Sequence, residues 1–217
     1  MIGKSGLACH SEDLELPADK GFDHFFGFLD HRAAHRHYPT RLARNGEWVR
    51  YPENHGRHGE KHCDELFLED ALRYLDERAE ARDQPFFLHL ALTVPHADLT
   101  VPEEYLEPFA ERFEEKPYKR KRNGYTDCEA PRATWAAMVT MIDRSMGRLL
   151  DRLEARMLAE HTLVIFASDN GPHFEGGADP EAFDSNGPYR GGKRDLYDGG
   201  IRTAQIAWWP GLSLIHI

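Results

Sequence analysis

The chain has 217 residues, 41% of them hydrophobic, enough for a substantial buried core in one domain or two. A formal net charge of −10 argues against a nucleic-acid-binding surface, and the one basic run, Lys119-Arg-Lys-Arg122, reads as a solvated loop. No apolar stretch is long enough to span a membrane, no signal peptide is legible at Met1, and Cys9, Cys63 and Cys128 are too scattered for a disulfide framework or a zinc site.

In chain order, Met1-Ile2 leads into Gly3-Lys4-Ser5-Gly6. Residues 11–60 are irregular, except that Asn45-Gly46 separates Arg41-Leu-Ala43 from Trp48-Val-Arg50, and Asn-Gly is favoured in tight hairpins. A helix is predicted from Asp64 to Arg82, with Leu68, Ala71, Leu72, Leu75 and Ala79 on one stripe. Pro85-Phe-Phe-Leu-His-Leu-Ala-Leu92 reads as a buried strand, followed at once by Pro95-His96. A polar connection over residues 98–130 precedes a long helix that begins at Pro131. On that helix Trp135, Met138, Val139, Ile142, Met146, Leu149, Leu150 and Leu153 recur at spacings of three and four. Thr162-Leu-Val-Ile-Phe-Ala167 then suits a strand covered on both faces of a parallel sheet. It ends in Ser168-Asp-Asn-Gly-Pro-His173. Strand, long helix, strand is the pattern of a parallel βαβ unit. A glycine-rich loop, Gly191-Gly-Lys-Arg-Asp-Leu-Tyr-Asp-Gly-Gly200, leads to the apolar run Ile206-Ala-Trp-Trp209.

Polar clusters that follow apolar runs fall where open α/β sheets place their ligands. A sheet gathering its strand ends on one edge brings Lys4, His96, Asp169, Asn170 and Lys193 together. The Asp169 carboxylate and the Asn170 carbonyl are hard oxygen donors of the kind Ca²⁺ or Mg²⁺ prefers. Two ammonium groups, an imidazole and a divalent cation would stabilise charge on a transferring sulfuryl or phosphoryl group. Each residue alone has a plainer reading, since Asp-Asn-Gly is a common turn and a lone lysine is usually solvated. The remaining histidines, His31, His35, His37, His55, His58 and His62, fit no compact ligand set and are expected on a polar loop surface.

Five stretches carry a resemblance that covers nearly all of the chain up to Gly211. They are Met1-Ile-Gly-Lys-Ser-Gly-Leu7, Lys20-Gly-Phe-Asp-His-Phe-Phe-Gly27, Pro85 through His96, Ser168 through His173, and Gly191 through Arg202. With these the chain resembles the type I sulfatases, the arylsulfatase-like, formylglycine-dependent members of the alkaline-phosphatase-like superfamily. The resemblance implies an α/β fold with a mixed or parallel sheet flanked by helices, incomplete at both ends. Residues 1–211 would be part of a sulfatase catalytic domain and 212–217 a non-native tail.

The implied activity is hydrolysis of sulfate monoesters, with a sulfated small molecule or saccharide as substrate. Lys4 and Lys193 would hold the sulfate oxygens, and His96 would work at the leaving-group oxygen with a pKa near its ordinary value of about 6.5. Asp169 and Asn170 would form half of a Ca²⁺ site, and His173 would contact substrate. The family's Cys-x-Pro-Ser-Arg motif, whose cysteine becomes the formylglycine nucleophile, lies upstream of the Lys4 motif, as does an acidic pair that completes the metal shell. Neither is found here, so the chain alone is expected to be inactive. Cys128-Glu-Ala-Pro-Arg132 fits a looser form of that motif and is read as a chance match. Many relatives carry a histidine two places after the motif lysine, where this chain has Gly6, so the leaving-group pocket is expected to differ. Family members are commonly exported, which implies a periplasmic or secreted location. A phosphodiester or phosphonate hydrolase of the same superfamily and a catalytically inert fragment are the alternative readings.

Overall fold

The computed structural model describes residues 1–8, 15–122 and 124–212. They form seven strands: β1 (Ile2–Ala8), β2 (Phe26–Asp30), β3 (Arg41–Arg44), β4 (Glu47–Arg50), β5 (Leu90–Ala91), β6 (Val164–Ala167) and β7 (Gln205–Trp208). The α-helices are α1 (Cys63–Glu80), α2 (Glu103–Leu106), α3 (Pro131–Ala155) and α4 (Asp198–Ile201). Cys9 and residues 213–217, which make up most of the expected tail, lie outside the described residues.

The strand order of the main sheet is β4-β3-β2-β1-β5. Its centre is parallel, with β1 between β2 and β5, and its edge is an antiparallel hairpin of β3 and β4. Glycine permits the central approach: a Cβ on Gly27 would collide with the Gly3 carbonyl, and one on Gly3 with the Ala91 carbonyl. The hairpin turns at Asn45 and Gly46 with φ of +49° and +91°, the left-handed pair that Asn-Gly tolerates best. Asn45 also accepts from the Phe25 N–H at 2.7 Å, which ties the turn back to β2.

Helix α1 covers one face of this sheet. Its predicted stripe from Leu68 to Ala79 is buried, and Phe67 meets Phe26 and Phe28 edge-on at centroid distances of 6.0 and 5.9 Å. Such pairs contribute about 0.5–1.5 kcal/mol each beyond the area they bury. Helix α3 starts at Pro131, where a missing N–H costs nothing, and adds Leu149 and Leu153 to the same core.

The sequence expectations need correction at three strands. β2 (Phe26–Asp30), paired parallel with β1, lies in the stretch 11–60 expected to be irregular outside the hairpin. Of the strand expected over residues 85–92, only Leu90–Ala91 is paired, because its contact with β1 is confined to Ile2 and Gly3; Phe87 stands exposed. β6 is not a doubly covered strand of the parallel sheet. It pairs antiparallel with β7 in a separate two-stranded ribbon, and Ile165 is 55% exposed. The expected βαβ crossover therefore does not close into one sheet among the described residues. The α/β class, with a mixed sheet and flanking helices, holds.

Candidate active site

Local folding places each predicted residue. Lys4 lies within β1, opposite Phe28 and just before a register irregularity, rather than in a loop after the strand. His96 is placed from the start of α1, where the buried Asp64 carboxylate accepts from the Thr93 N–H at 2.8 Å and from the Thr93 hydroxyl. The Thr93 carbonyl then accepts from the His96 N–H at 3.1 Å, closing the turn that presents the imidazole. Asp169 and Asn170 follow β6. The Ser168 carbonyl is held by the Thr203 hydroxyl at 3.0 Å, and the Gly171 N–H donates to the Gly200 carbonyl at 3.0 Å. The Lys193 N–H donates to the Pro172 carbonyl at 2.8 Å, so the lysine loop is stitched to the acid–amide turn.

Lys4, His96, Asp169, Asn170, His173 and Lys193 all line a single cleft of about 1790 Å³. That exceeds the roughly 300–1,000 Å³ of an ordinary ligand pocket. These polar residues form its mouth, and the lining continues past residues 85–92, β6 and the α3 residues Val139, Ile142, Met146 and Leu150. Met146 and Leu150 also pack against the core beneath the main sheet, so the α3 stripe serves cleft and core together.

The mouth holds the imidazoles of His35, His96 and His173, with His31 behind His35 and outside the lining. His31 is edge-on to His35 at 4.9 Å, His35 stacks on His96 at 4.9 Å, and His96 stacks on His173 at 4.8 Å. The His96 Nδ1–H donates to the Ala97 carbonyl at 2.7 Å, because a carbonyl can only accept. Burial, with the charges of Lys193 and the neighbouring histidines, pushes the His96 pKa down to about 3. The expected value near 6.5 is therefore not met: His96 is neutral at pH 7, with a lone pair on Nε2. His173 is also lowered, chiefly by burial; its Nε2–H donates to the Pro95 carbonyl at 3.2 Å, and its Nδ1 lies 3.3 Å from Glu175. Burial lowers Lys193, with Lys4 and Arg194 acting in the same direction against Asp169 and Glu175. Two lysines whose charges act on one another, one of them partly desolvated, make a site prepared for an anion.

A family model described as Sulfatase matches residues 1–214. The chain belongs to the sulfatase family. Among curated sulfatases, N-acetylgalactosamine-6-sulfatase of Canis lupus familiaris is 31% identical over 206 residues, covering 90% of this chain and 34% of that protein. The uncharacterized sulfatase YdeN of Escherichia coli (strain K12) is 28% identical over 197 residues, covering 90% of this chain and 30% of that one. Among solved structures, Ps i-CgsB in complex with k-i-k-neocarrahexaose superimposes with a TM-score of 0.73 at 26% identity, over 96% of this chain and 44% of that one. This sulfatase chain spans about a third of the length of the curated relatives it matches.

The donor set suits the hard cation that a sulfatase resemblance implies, in part. Asn170 donates its Nδ2–H to the Gly171 carbonyl at 2.9 Å, which leaves Oδ1 free to accept, and Asp169 is exposed at the cleft wall. Ca²⁺ takes roughly six to eight oxygens, so these two would supply a fraction of its shell. The His62-Cys63-Asp64 grouping does not compete. It is fully buried, and its carboxylate is committed to Thr93 and to the Cys63 thiol at 3.2 Å. Cys128 is buried and hydrogen-bonded with Thr134, its thiol is pushed up chiefly by burial, and it is absent from the cleft lining.

Of the other histidines, His55 and His58 are exposed in a loop as expected, but three are not placed as the sequence reading has them. His37 and His62 are fully buried rather than on a loop surface, and His35 lines the cleft. A signal was present for His31 and His35: Phe25-Phe-Gly-Phe-Leu29 is an apolar run followed by Asp30-His31, the same strand-then-polar pattern that marked the other clusters.

Proposed function

We propose that this chain supplies the anion- and cation-holding part of a site that hydrolyses sulfate monoesters of a carbohydrate. What carries the reading is the single cleft shared by Lys4, Lys193, His96, Asp169 and Asn170, residues up to 189 positions apart in the chain. Lys4 and Lys193 would take the sulfate oxygens, where preorganised charge in a partly water-excluded cleft lowers the barrier most. Ca²⁺ held in part by Asp169 and Asn170 would add positive charge at the same oxygens. An anion bound there opposes the lysine charge that helps keep His96 neutral, so binding favours proton uptake at Nε2. When the bond from sulfur to the alcohol oxygen breaks, that proton passes to the departing oxygen. The nucleophile, by resemblance a formylglycine hydrate, would come from outside this sequence. The names of the relatives, one an N-acetylgalactosamine-6-sulfatase and one solved with k-i-k-neocarrahexaose, support a saccharide as the alcohol. An exported location follows from the same resemblance and is testable by cell fractionation.

The test is binding of methyl sulfate to the chain in calcium, followed by NMR. Lys193→Ala should weaken binding at least tenfold. Equal binding by wild type and variant would remove the anion pocket from the account. Turnover of sulfate esters by these 217 residues alone should stay at background. Turnover that disappeared in Cys128→Ala would instead install Cys128 as the nucleophile.

A further inference from the structure

His31 and His35 come from a turn that the sulfate-holding residues leave unused. The turn is tightly built. Asp30 accepts from the Arg32 N–H at 2.6 Å, a turn of 3₁₀ helix covers Ala33–His35, and the His35 carbonyl accepts from the Asp98 N–H at 3.2 Å. His35 is thereby held ring-on-ring against His96, with Tyr125 edge-on to it at 5.9 Å. Lys4 and Lys193 are near enough for their charges to act on both His31 and His35. Gly6, two residues after Lys4, presents no side chain, and a Cβ there would meet nothing within 4 Å. The lysine strand therefore brings a cation to the mouth but no imidazole.

His96 and His173 each spend a ring nitrogen on a main-chain carbonyl. Among the described residues no such bond engages the rings of His31 and His35, so both keep a donor and an acceptor for a ligand. Burial, reinforced by the lysine charges, lowers both, His35 to about 4, so both rings are uncharged at neutral pH. A neutral imidazole offers one N–H and one lone pair. That matches a hydroxyl, which is also donor and acceptor, and matches an anion poorly beside two lysines.

We propose that His35, with His31 beside it, forms a subsite for hydroxyl groups on the alcohol part of the ester, a sugar ring in particular, adjoining the lysine-lined anion pocket. The inference rests on the reading of the cleft as a sulfate-ester site. Its consequence is selectivity by the alcohol rather than by the sulfate, because an ester without hydroxyls leaves these polar rings without partners.

Two ligands separate the parts: N-acetylgalactosamine 6-sulfate, which has hydroxyls, and methyl sulfate, which has none. Both are titrated into the 217-residue chain in calcium and followed by NMR. His35→Phe keeps the ring stacked on His96 but removes its hydrogen-bonding atoms, and His31→Phe does the same one ring further out. Each should weaken the sugar sulfate about five- to tenfold, the effect of roughly one net hydrogen bond, and methyl sulfate less than twofold. Lys193→Ala should weaken both ligands. Equal losses on the two ligands, or none on either, in both histidine variants would overturn the subsite while leaving the anion pocket standing. A wild-type chain that binds neither ligand would overturn both.

Discussion

Gly171 lies so close to Gly199 that a Cβ on the first would collide with the carbonyl of the second. The contact joins two sequence-distant loops, one carrying Asp169 and Asn170 and the other Lys193, and the Gly171 N–H to Gly200 carbonyl bond of 3.0 Å seals it. Gly171→Ala must push one backbone away from the other, a form of overpacking that costs about 1–3 kcal/mol and occasionally more. The expected outcome is a lowered melting temperature together with at least a tenfold loss of methyl sulfate affinity in calcium. A variant with wild-type melting and wild-type affinity would show that the two loops are not coupled.

Asp64 is a buried acid that organises the site without lining it. Its carboxylate satisfies both the N–H and the hydroxyl of Thr93, and it sits in the first turn of α1, where negative charge is favoured. Asp64→Ala takes the acceptor from the Thr93 N–H, the Thr93 hydroxyl and the Cys63 thiol; the last two can still pair with each other, and a buried donor left unpaired costs about 1–3 kcal/mol. A loss near 3 kcal/mol lowers the melting temperature of a chain this size by roughly 6–12 °C. Asp64→Asn, which keeps one acceptor, should lose less. Calorimetry that ranked the two variants in the opposite order would contradict the pairing.

Acid sensitivity has a definite sign. His37 and His62 are fully buried, 5.2 Å apart, and burial is the largest cause that brings each pKa from 6.5 to about 4. The unfolded chain therefore takes up protons that the folded chain refuses. Stability is fully present above pH 6.5, falls as pH drops from 6.5 to about 4, and then stops falling on their account. Each shift corresponds to an effect on the order of 3 kcal/mol. His35 and His96 act in the same direction. Asp70, held below its usual range by His24 and Arg44 against burial, contributes only at more acidic pH. Urea titrations at pH 7 and pH 5 test this. Equal unfolding free energies at the two values would refute the buried neutral pair.

What was legible in the sequence was local. The Asn45-Gly46 turn, the α1 stripe and the Pro131 start of α3 are set by propensities and periods that act within a few residues. The motif residues of the mouth were legible for a different reason: His96, Asp169 and Asn170 follow apolar runs, and Lys193 sits in a glycine-rich loop before one. Pairing was not. Nothing in Thr162–Ala167 distinguishes a strand covered on both faces from one in a two-stranded ribbon, because an apolar run records the side chains and not the partner at its edge. The run Phe25–Leu29 marks the turn that carries His35 but not the partner of its ring. The value of His35 to the site comes from stacking on His96, which lies 61 positions further along the chain.

His96 offers the sharpest test of chemistry. Its Nδ1–H is fixed on the Ala97 carbonyl, so any proton it delivers must come from Nε2, and burial makes that proton scarce until an anion is bound. On the proposed function, in a protein that also supplies the nucleophile, His96→Gln should lower kcat/KM for a saccharide sulfate by about 100-fold or more, the usual contribution of a general acid. For 4-nitrophenyl sulfate the loss should be much smaller, because nitrophenolate departs without help from a proton. Steady-state kinetics on the two substrates decide the matter. Losses of the same size on both would mean that His96 positions the ester and donates nothing, and the proton would then have to come from His173 or from solvent.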